Sequence, residues 1–177
     1  LHAAGIEVLL DVVYNHTGYT STYASRRTAA GEGWVRIGEG NCDRAPVTCA
    51  VGGLPDLKTE LPEVRDHVLG ANIALAKASG VDGFRLDTHK HLDAEFWLEH
   101  RQRTRAELGT QFFLLAEHWG GTAQGLDPLF ERDEVDAGFD FSFKGSCEAW
   151  VSGRGRSVAY AAYLRNRKVS VVGAAAG

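Results

Sequence analysis

Gly83-Phe84-Arg85-Leu86-Asp87-Thr88-His89-Lys90-His91 reads as a strand that ends by gathering charged groups on one face. Side chains alternate along a strand, so Gly83, Arg85 and Asp87 share one side while Phe84 and Leu86 point to the other. That geometry sets a cation beside a carboxylate. An opposite charge a few ångströms away favours the charged form, which makes Asp87 a candidate nucleophile. A purely structural Arg–Asp pair closing off a strand fits the same residues.

Helices flank this strand. Pro62 fits a first helical position, and Val64, Val68, Ala71, Leu75 and Ala78 recur at helical spacing up to Gly80. Asp93 can cap a second helix whose stripe Phe96, Trp97, His100, Thr104 and Leu108 ends at Gly109. Residues 6–13 form a dense apolar run broken by Glu7 and Asp11, the pattern of a parallel strand buried on both faces, and follow Gly5, a helix C-cap. Residues 111–116 read as another apolar strand, running into Glu117-His118-Trp119. A helix is expected over 123–132. In residues 137–143, Phe139, Phe141 and Phe143 alternate as in a strand, and a helical pattern covers 148–166.

Repeated βα units imply a parallel sheet with right-handed crossovers. A doubly wound sheet and a (β/α)8 barrel both have that order. The polar residues decide: Asn15-His16, Asp87 to His91 and Glu117-His118 fall at the carboxyl ends of successive strands, where barrel active sites are built. The expected fold is α/β, a partial (β/α)8 TIM barrel of about four βα units. Residues 1–16 and 58–177 supply the barrel, and residues 17–57 an inserted excursion rich in Gly, Ser, Thr, Asn and Pro. Excursions of that length are usually functional or form a small subdomain.

At 177 residues the chain can bury one sizeable core but is short for a whole barrel, which typically takes about 250 residues. It begins with Leu1 and contains no methionine, so it is read as a fragment. A net charge of −4 leaves no electrostatic footprint for nucleic acid or an anionic membrane. No apolar run approaches the roughly 20 residues of a membrane span. Three cysteines, Cys42, Cys49 and Cys147, are too few and too spread for a tetrahedral zinc site. Cys42 and Cys49 share one loop-like stretch, either as a disulfide, which implies a secreted or periplasmic protein, or as free thiols in a cytoplasmic one. Cys147 is assigned to packing.

Four segments resemble, in order and spacing, signatures of the α-amylase superfamily of glycoside hydrolases (family 13). Asp11-Val12-Val13-Tyr14-Asn15-His16, Gly83 to His91 and Leu114-Leu115-Ala116-Glu117 are similar to its first three regions, and Leu54-Pro55-Asp56-Leu57 to the signature near the end of its inserted domain B. The resemblance spans the chain from the third barrel strand to past the sixth. It implies a retaining glycosidase with Asp87 as nucleophile and Glu117 as general acid/base, two carboxyl groups placed across the scissile bond. Leu114-Leu115-Ala116 and Trp119 surround Glu117 with apolar groups that can help it hold a proton. Arg85 orients and ionises the nucleophile, and Asp11 supports Arg85 from the adjacent strand.

The same resemblance implies that His16, Lys90, His91 and Trp119 bind substrate, while Tyr14 is read as core. It assigns a structural calcium ion to Asn15, Asp56 and the backbone carbonyl of His91, hard oxygen ligands that would tie the inserted region to the barrel. Bottom-up readings of Asn15 as a turn residue and Asp56 as a cap stand beside this. Asn15-His16-Thr17 also spells a glycosylation acceptor, discounted because it lies at a barrel mouth. The implied partner is an α-glucan (starch, glycogen or a maltooligosaccharide) cut at α-1,4 bonds. Alternatives are an α-glucan transglycosidase or trehalose synthase-like member, or a non-catalytic binding module of the same fold. The family's third acid, in a His-Asp pair, has no counterpart after Lys168. Residues 1–177 alone are therefore expected to have little or no activity.

Overall fold

The computed structural model describes residues 1–38, 40–155 and 157–162. Its elements run β1 (Leu9–Val13), β2 (Val35–Arg36), β3 (Asp56–Leu57), α1 (Pro62–Ser79), β4 (Gly83–Asp87), α2 (Ala94–Leu108), β5 (Phe113–Ala116), α3 (Ala123–Glu131), β6 (Ala137–Gly138) and α4 (Phe141–Val151). Strands β1, β4, β5 and β6 make one parallel sheet in that order, and β2 and β3 a small antiparallel pair. A helix separates each parallel strand from the next, as βα units require. No described helix is long and apolar enough to cross a membrane.

The strand that decides the fold sits centrally, with Leu9 opposite Gly83 on one side and Phe113 on the other. Gly83 is required there. A Cβ at this position would lie 2.3 Å from the Phe113 carbonyl oxygen and 2.7 Å from Leu9 Cδ2. Phe84 and Leu86 are fully buried, while Arg85 and Asp87 on the opposite face are only half-buried. One face of β4 therefore packs in the core, which includes Leu69, Phe96 and Leu114, and the other carries the chemistry.

Local signals set the helix boundaries. Pro62 opens α1 and Gly80 closes it in the left-handed conformation (φ 67°); the Asp93 carboxylate accepts from the Phe96 amide to start α2, and Gly109 ends it. The buried face of α1 differs from the expected stripe. It is Val64, Val68, Leu69, Ile73 and Ala76, whereas Ala71, Leu75 and Ala78 are exposed. Both faces are apolar enough to show helical spacing, and only packing against the sheet and α2 chooses between them.

Strand β1 corrects a second expectation. It begins at Leu9 rather than residue 6, and Leu9 and Val13 are 37% and 39% exposed, because among the described residues β1 pairs on one side only, with β4. The phenylalanine alternation over 137–143 is likewise no strand. Strand pairing stops at Gly138, and the Asp140 carboxylate accepts from the Phe143 amide (3.0 Å), capping a helix that takes in Phe141 and Phe143. That helix ends at Val151; the helical path is interrupted around Gly153 and Gly155, residues 157–162 are helical again, and residues 163–166 of the expected helix lie outside the described residues.

Tyr14, immediately after β1, is fully buried among the rings of Phe96, Trp97 and His100, the core role expected of it. Burial pushes its phenol pKa up, which keeps the hydroxyl protonated, and that hydroxyl lies 3.1 Å from His100 Nε2. Burial also pushes His100 down to about 3, with the neighbouring Arg101 charge adding to the effect. A histidine depressed in the folded state takes up its proton first in the unfolded chain. Its stabilisation is whole above its ordinary pKa of 6.5 and is lost as the pH falls towards about 3. We expect a loss of about 1.4 kcal/mol per pH unit below about 6 from this residue. His100→Gln, measured by urea unfolding between pH 7 and 4.5, should flatten that slope; an unchanged slope would contradict the assignment.

Candidate active site

Paired residues of parallel strands share a face, and this brings Asp11, Arg85 and Asp87 together at the carboxyl end of the sheet. Arg85 Nη1 donates to Asp87 Oδ1 (2.6 Å) and to Asp11 Oδ1 (2.8 Å), while Nη2 contacts Glu117 Oε1 (2.6 Å). One guanidinium thus joins three carboxylates from three neighbouring strands. Burial works against the Arg85 charge, but the bonds to Asp11 and Asp87 and the charge of Glu117 outweigh it and raise its pKa. Support from Asp11 is as read in the sequence. The surroundings of Glu117 are not: a cation lies against its carboxylate, and Trp119 is 63% exposed, its ring packed on Phe141 at 4.9 Å.

Backbone groups complete the setting of Glu117. Its Oε2 accepts from the Thr88 amide (3.4 Å) and its carbonyl from the His89 amide (3.0 Å). Thr88 is left-handed (φ 51°, ψ 36°), a rare state for a β-branched residue. No sequence signal marks it, since the motif gives side chains and this contact is made by backbone.

His16 lies within electrostatic reach of Asp87. Burial lowers its pKa, the Asp87 charge opposes this, and His91 adds to it. Its Nδ1 lies 3.2 Å from Asn15 Oδ1. Lys90 is half-buried in the 3-10 turn His89–His91. The His91 ring packs against the inserted region. Its Nδ1 donates to the Pro46 carbonyl (2.9 Å) and lies 3.8 Å from Cys49 Sγ, and the residue is buried. Cys49 is bonded to Cys42, with Cα atoms 5.2 Å apart, so the two sulfurs near His91 form a clasp and offer no thiolates to a metal. Cys147 is half-buried, with its Sγ 3.5 Å from the Tyr160 hydroxyl.

Asn15, Asp56 and the His91 carbonyl do converge. Asn15 Nδ2 donates to Asp56 Oδ1 (3.1 Å) and to the His91 carbonyl (3.0 Å), and both side chains are buried, which also removes Asn15 as a glycan acceptor. The backbone locks this corner through Leu57 N–H to the Asn15 carbonyl (2.7 Å) and Thr17 N–H to the Pro55 carbonyl (3.0 Å). Burial pushes Asp56 up to about 6, against the pull of Arg36 at 2.7 Å and of Asn15. Arg36 was not singled out in the sequence. It lies 20 residues from Asp56 in an aperiodic stretch, and only the β2–β3 pairing brings the two together.

No protein-family model matches the chain. Individual relatives do. Cyclomaltodextrinase of Geobacillus thermopakistaniensis (strain MAS1) is 30% identical over 146 residues, 77% of this chain and 24% of that protein. Intracellular maltogenic amylase of Bacillus subtilis (strain 168) is 28% identical over 153 residues, 81% of this chain and 25% of the relative. Among solved structures, α-amylase from Geobacillus thermoleovorans complexed with acarbose superposes with a TM-score of 0.73 at 29% identity, covering 82% of this chain and 33% of that one. The chain spans about a quarter of the length of these curated relatives. With the four signature segments in order and a parallel sheet that superposes on an α-amylase, the chain belongs to the α-amylase superfamily, glycoside hydrolase family 13.

Proposed function

We propose that the protein carrying this chain is a retaining glycosidase of α-amylase type that cleaves α-1,4-glucosidic bonds of starch, glycogen or maltooligosaccharides. One observation carries the reading: Asp87 and Glu117, at the ends of adjacent parallel strands, both contact a single guanidinium. Retention needs two carboxyl groups about 5–5.5 Å apart, and carboxylates that share one guanidinium are neighbours of the kind such a pair requires. Asp87 Oδ attacks the anomeric carbon as the glycosidic C–O bond breaks, and Glu117 delivers its proton to the departing oxygen. Glu117 then takes a proton from water, which attacks the same carbon and frees Asp87. The relatives named cyclomaltodextrinase and maltogenic amylase support the substrate class. Full-length protein given maltotriose should release glucose and maltose, with the α-anomer formed first by NMR; formation of the β-anomer, or no cleavage, would overturn the reading.

Residues 17–57 are proposed as the inserted domain B-like unit, and Asn15, Asp56 and the His91 carbonyl as a calcium site joining it to the barrel. The groups present fit such an ion. A buried carboxylate and a carbonyl oxygen lie within 3.1 Å of one amide group, and turning that amide would bring a third oxygen to them. The ion would supply structural attachment, holding the inserted region onto the barrel. Calcium binding only the folded state should stabilise it by about 2.7 kcal/mol at a hundredfold excess over Kd. The Tm of the full-length protein should therefore rise from chelator to calcium, and Asp56→Ala should remove the rise; equal melting with and without calcium would contradict the site. The Cys42–Cys49 bond supports an oxidising compartment.

A further inference from the structure

We propose that His89 is a positioning residue for Glu117: its ring, clamped on Trp97, fixes the left-handed Thr88 turn and so aims two successive backbone N–H groups at the acid/base. This rests on the reading of Glu117 given above.

The chain leaves β4 at Asp87 and turns at Thr88 into a conformation that β-branched residues avoid. A left-handed residue followed by a helical one points consecutive N–H groups into the same space, a backbone nest suited to a carboxylate. Here the Thr88 amide reaches Glu117 Oε2 (3.4 Å) and the His89 amide reaches the Glu117 carbonyl (3.0 Å). Such a turn persists only if its surroundings impose it.

His89 is where they do. Its ring is buried and lies flat on Trp97, with centroids 4.3 Å apart and planes 5° from parallel. Trp97 Nε1 donates to the His89 carbonyl (3.0 Å), so the indole holds both the ring and the backbone of the same residue. Among the described residues, neither ring nitrogen has a hydrogen-bond partner. The nearest charge is the buried Glu134 carboxylate, 3.5 Å from Nε2, and the Arg132 guanidinium lies beyond it. A buried imidazole without hydrogen bonds adds little stability through its polar atoms. What remains for the ring is shape, and the shape anchors the turn. The link from α2 to the acid/base thus runs Trp97, His89, Glu117.

Leaving-group chemistry separates this role from a structural one. Cleaving a glucosidic bond needs a proton on the departing oxygen, whereas fluoride leaves a glycosyl fluoride with little help. In full-length protein, His89→Ala should lower kcat/KM for maltotriose about 10- to 100-fold, as a misplaced acid does, and change kcat/KM for fluoride release from α-maltosyl fluoride less than about threefold. His89→Phe, which keeps the stacked ring, should restore maltotriose cleavage to within about threefold of wild type. If His89→Ala does not fold, Trp97→Phe, which keeps a ring but loses the N–H to the His89 carbonyl, should show the same selective loss. Equal losses on both substrates, or none on either, would overturn the proposal. Glu117→Gln is the control: should it spare maltotriose cleavage, the reading of Glu117 falls, whereas a selective loss in Glu117→Gln without one in His89→Ala sinks only the role of His89.

Discussion

Asp87→Asn in the full-length protein should abolish turnover of maltotriose while leaving its binding measurable, and Glu117→Gln should lower kcat on the same substrate by about 10²–10⁴-fold. Both replacements keep shape and remove one function. The amide at 87 cannot form a glycosyl ester, and the amide at 117 has no proton to give. Arg85 would retain Asp11 and one of the two carboxylates in either variant, so the fold should hold, which circular dichroism and calorimetric titration with substrate can show. Unchanged rates would remove both residues from the mechanism.

Arg85→Lys should be the next most damaging change. The guanidinium serves three carboxylates at once, Asp11, Asp87 and Glu117, through two nitrogens held in one plane. An ammonium keeps the charge but has no fork, so it cannot hold Asp87 and Glu117 in fixed relation. A displacement of about 1 Å between reacting groups can lower a rate about 10²-fold, and kcat should fall by about that much with KM nearly constant, since no substrate contact is removed. With Arg85→Met the carboxylates lose their shared cation altogether, and kcat should fall further than in Arg85→Lys. Wild-type kinetics in Arg85→Lys would show that the three-way bridge is incidental.

Much of this site was legible because the decisive residues sit on one strand. The alternation in Gly83 to Asp87 places Arg85 and Asp87 together, and the buried Phe84 and Leu86 confirm which face is which. Strong end signals worked equally well: Pro62, Gly80, Asp93 and Gly109 mark helix ends where the structure has them. Where two periodicities competed, the sequence did not choose. Phe139, Phe141 and Phe143 obey a strand pattern, yet Asp140 had the stronger local effect as a helix cap. The two faces of α1 were equally apolar on paper, and Leu75 proved to be on the outer one.

Contacts made by backbone, or across the aperiodic stretch, left no trace in the pattern. Asp56 meets Arg36 and His91 meets Pro46 because the inserted region folds back on the strand ends, a matter of tertiary placement. The Cys42–Cys49 pairing was one of two open readings, and its packing beside His91 belonged to neither. The apolar pocket expected for Glu117 gave way to the Arg85 ion pair because residue spacing along β5 says nothing of what β4 extends towards it.

The most direct test traps the covalent intermediate. Full-length Glu117→Gln protein treated with α-maltosyl fluoride should form the glycosyl-enzyme readily, since fluoride needs little protonation, and lose it slowly, since no base activates water. Proteolysis and tandem mass spectrometry should then place one maltosyl group on the peptide containing residues 83–90, at Asp87. A label on another carboxylate, or none while fluoride is released, would contradict the assignment of Asp87 as the nucleophile.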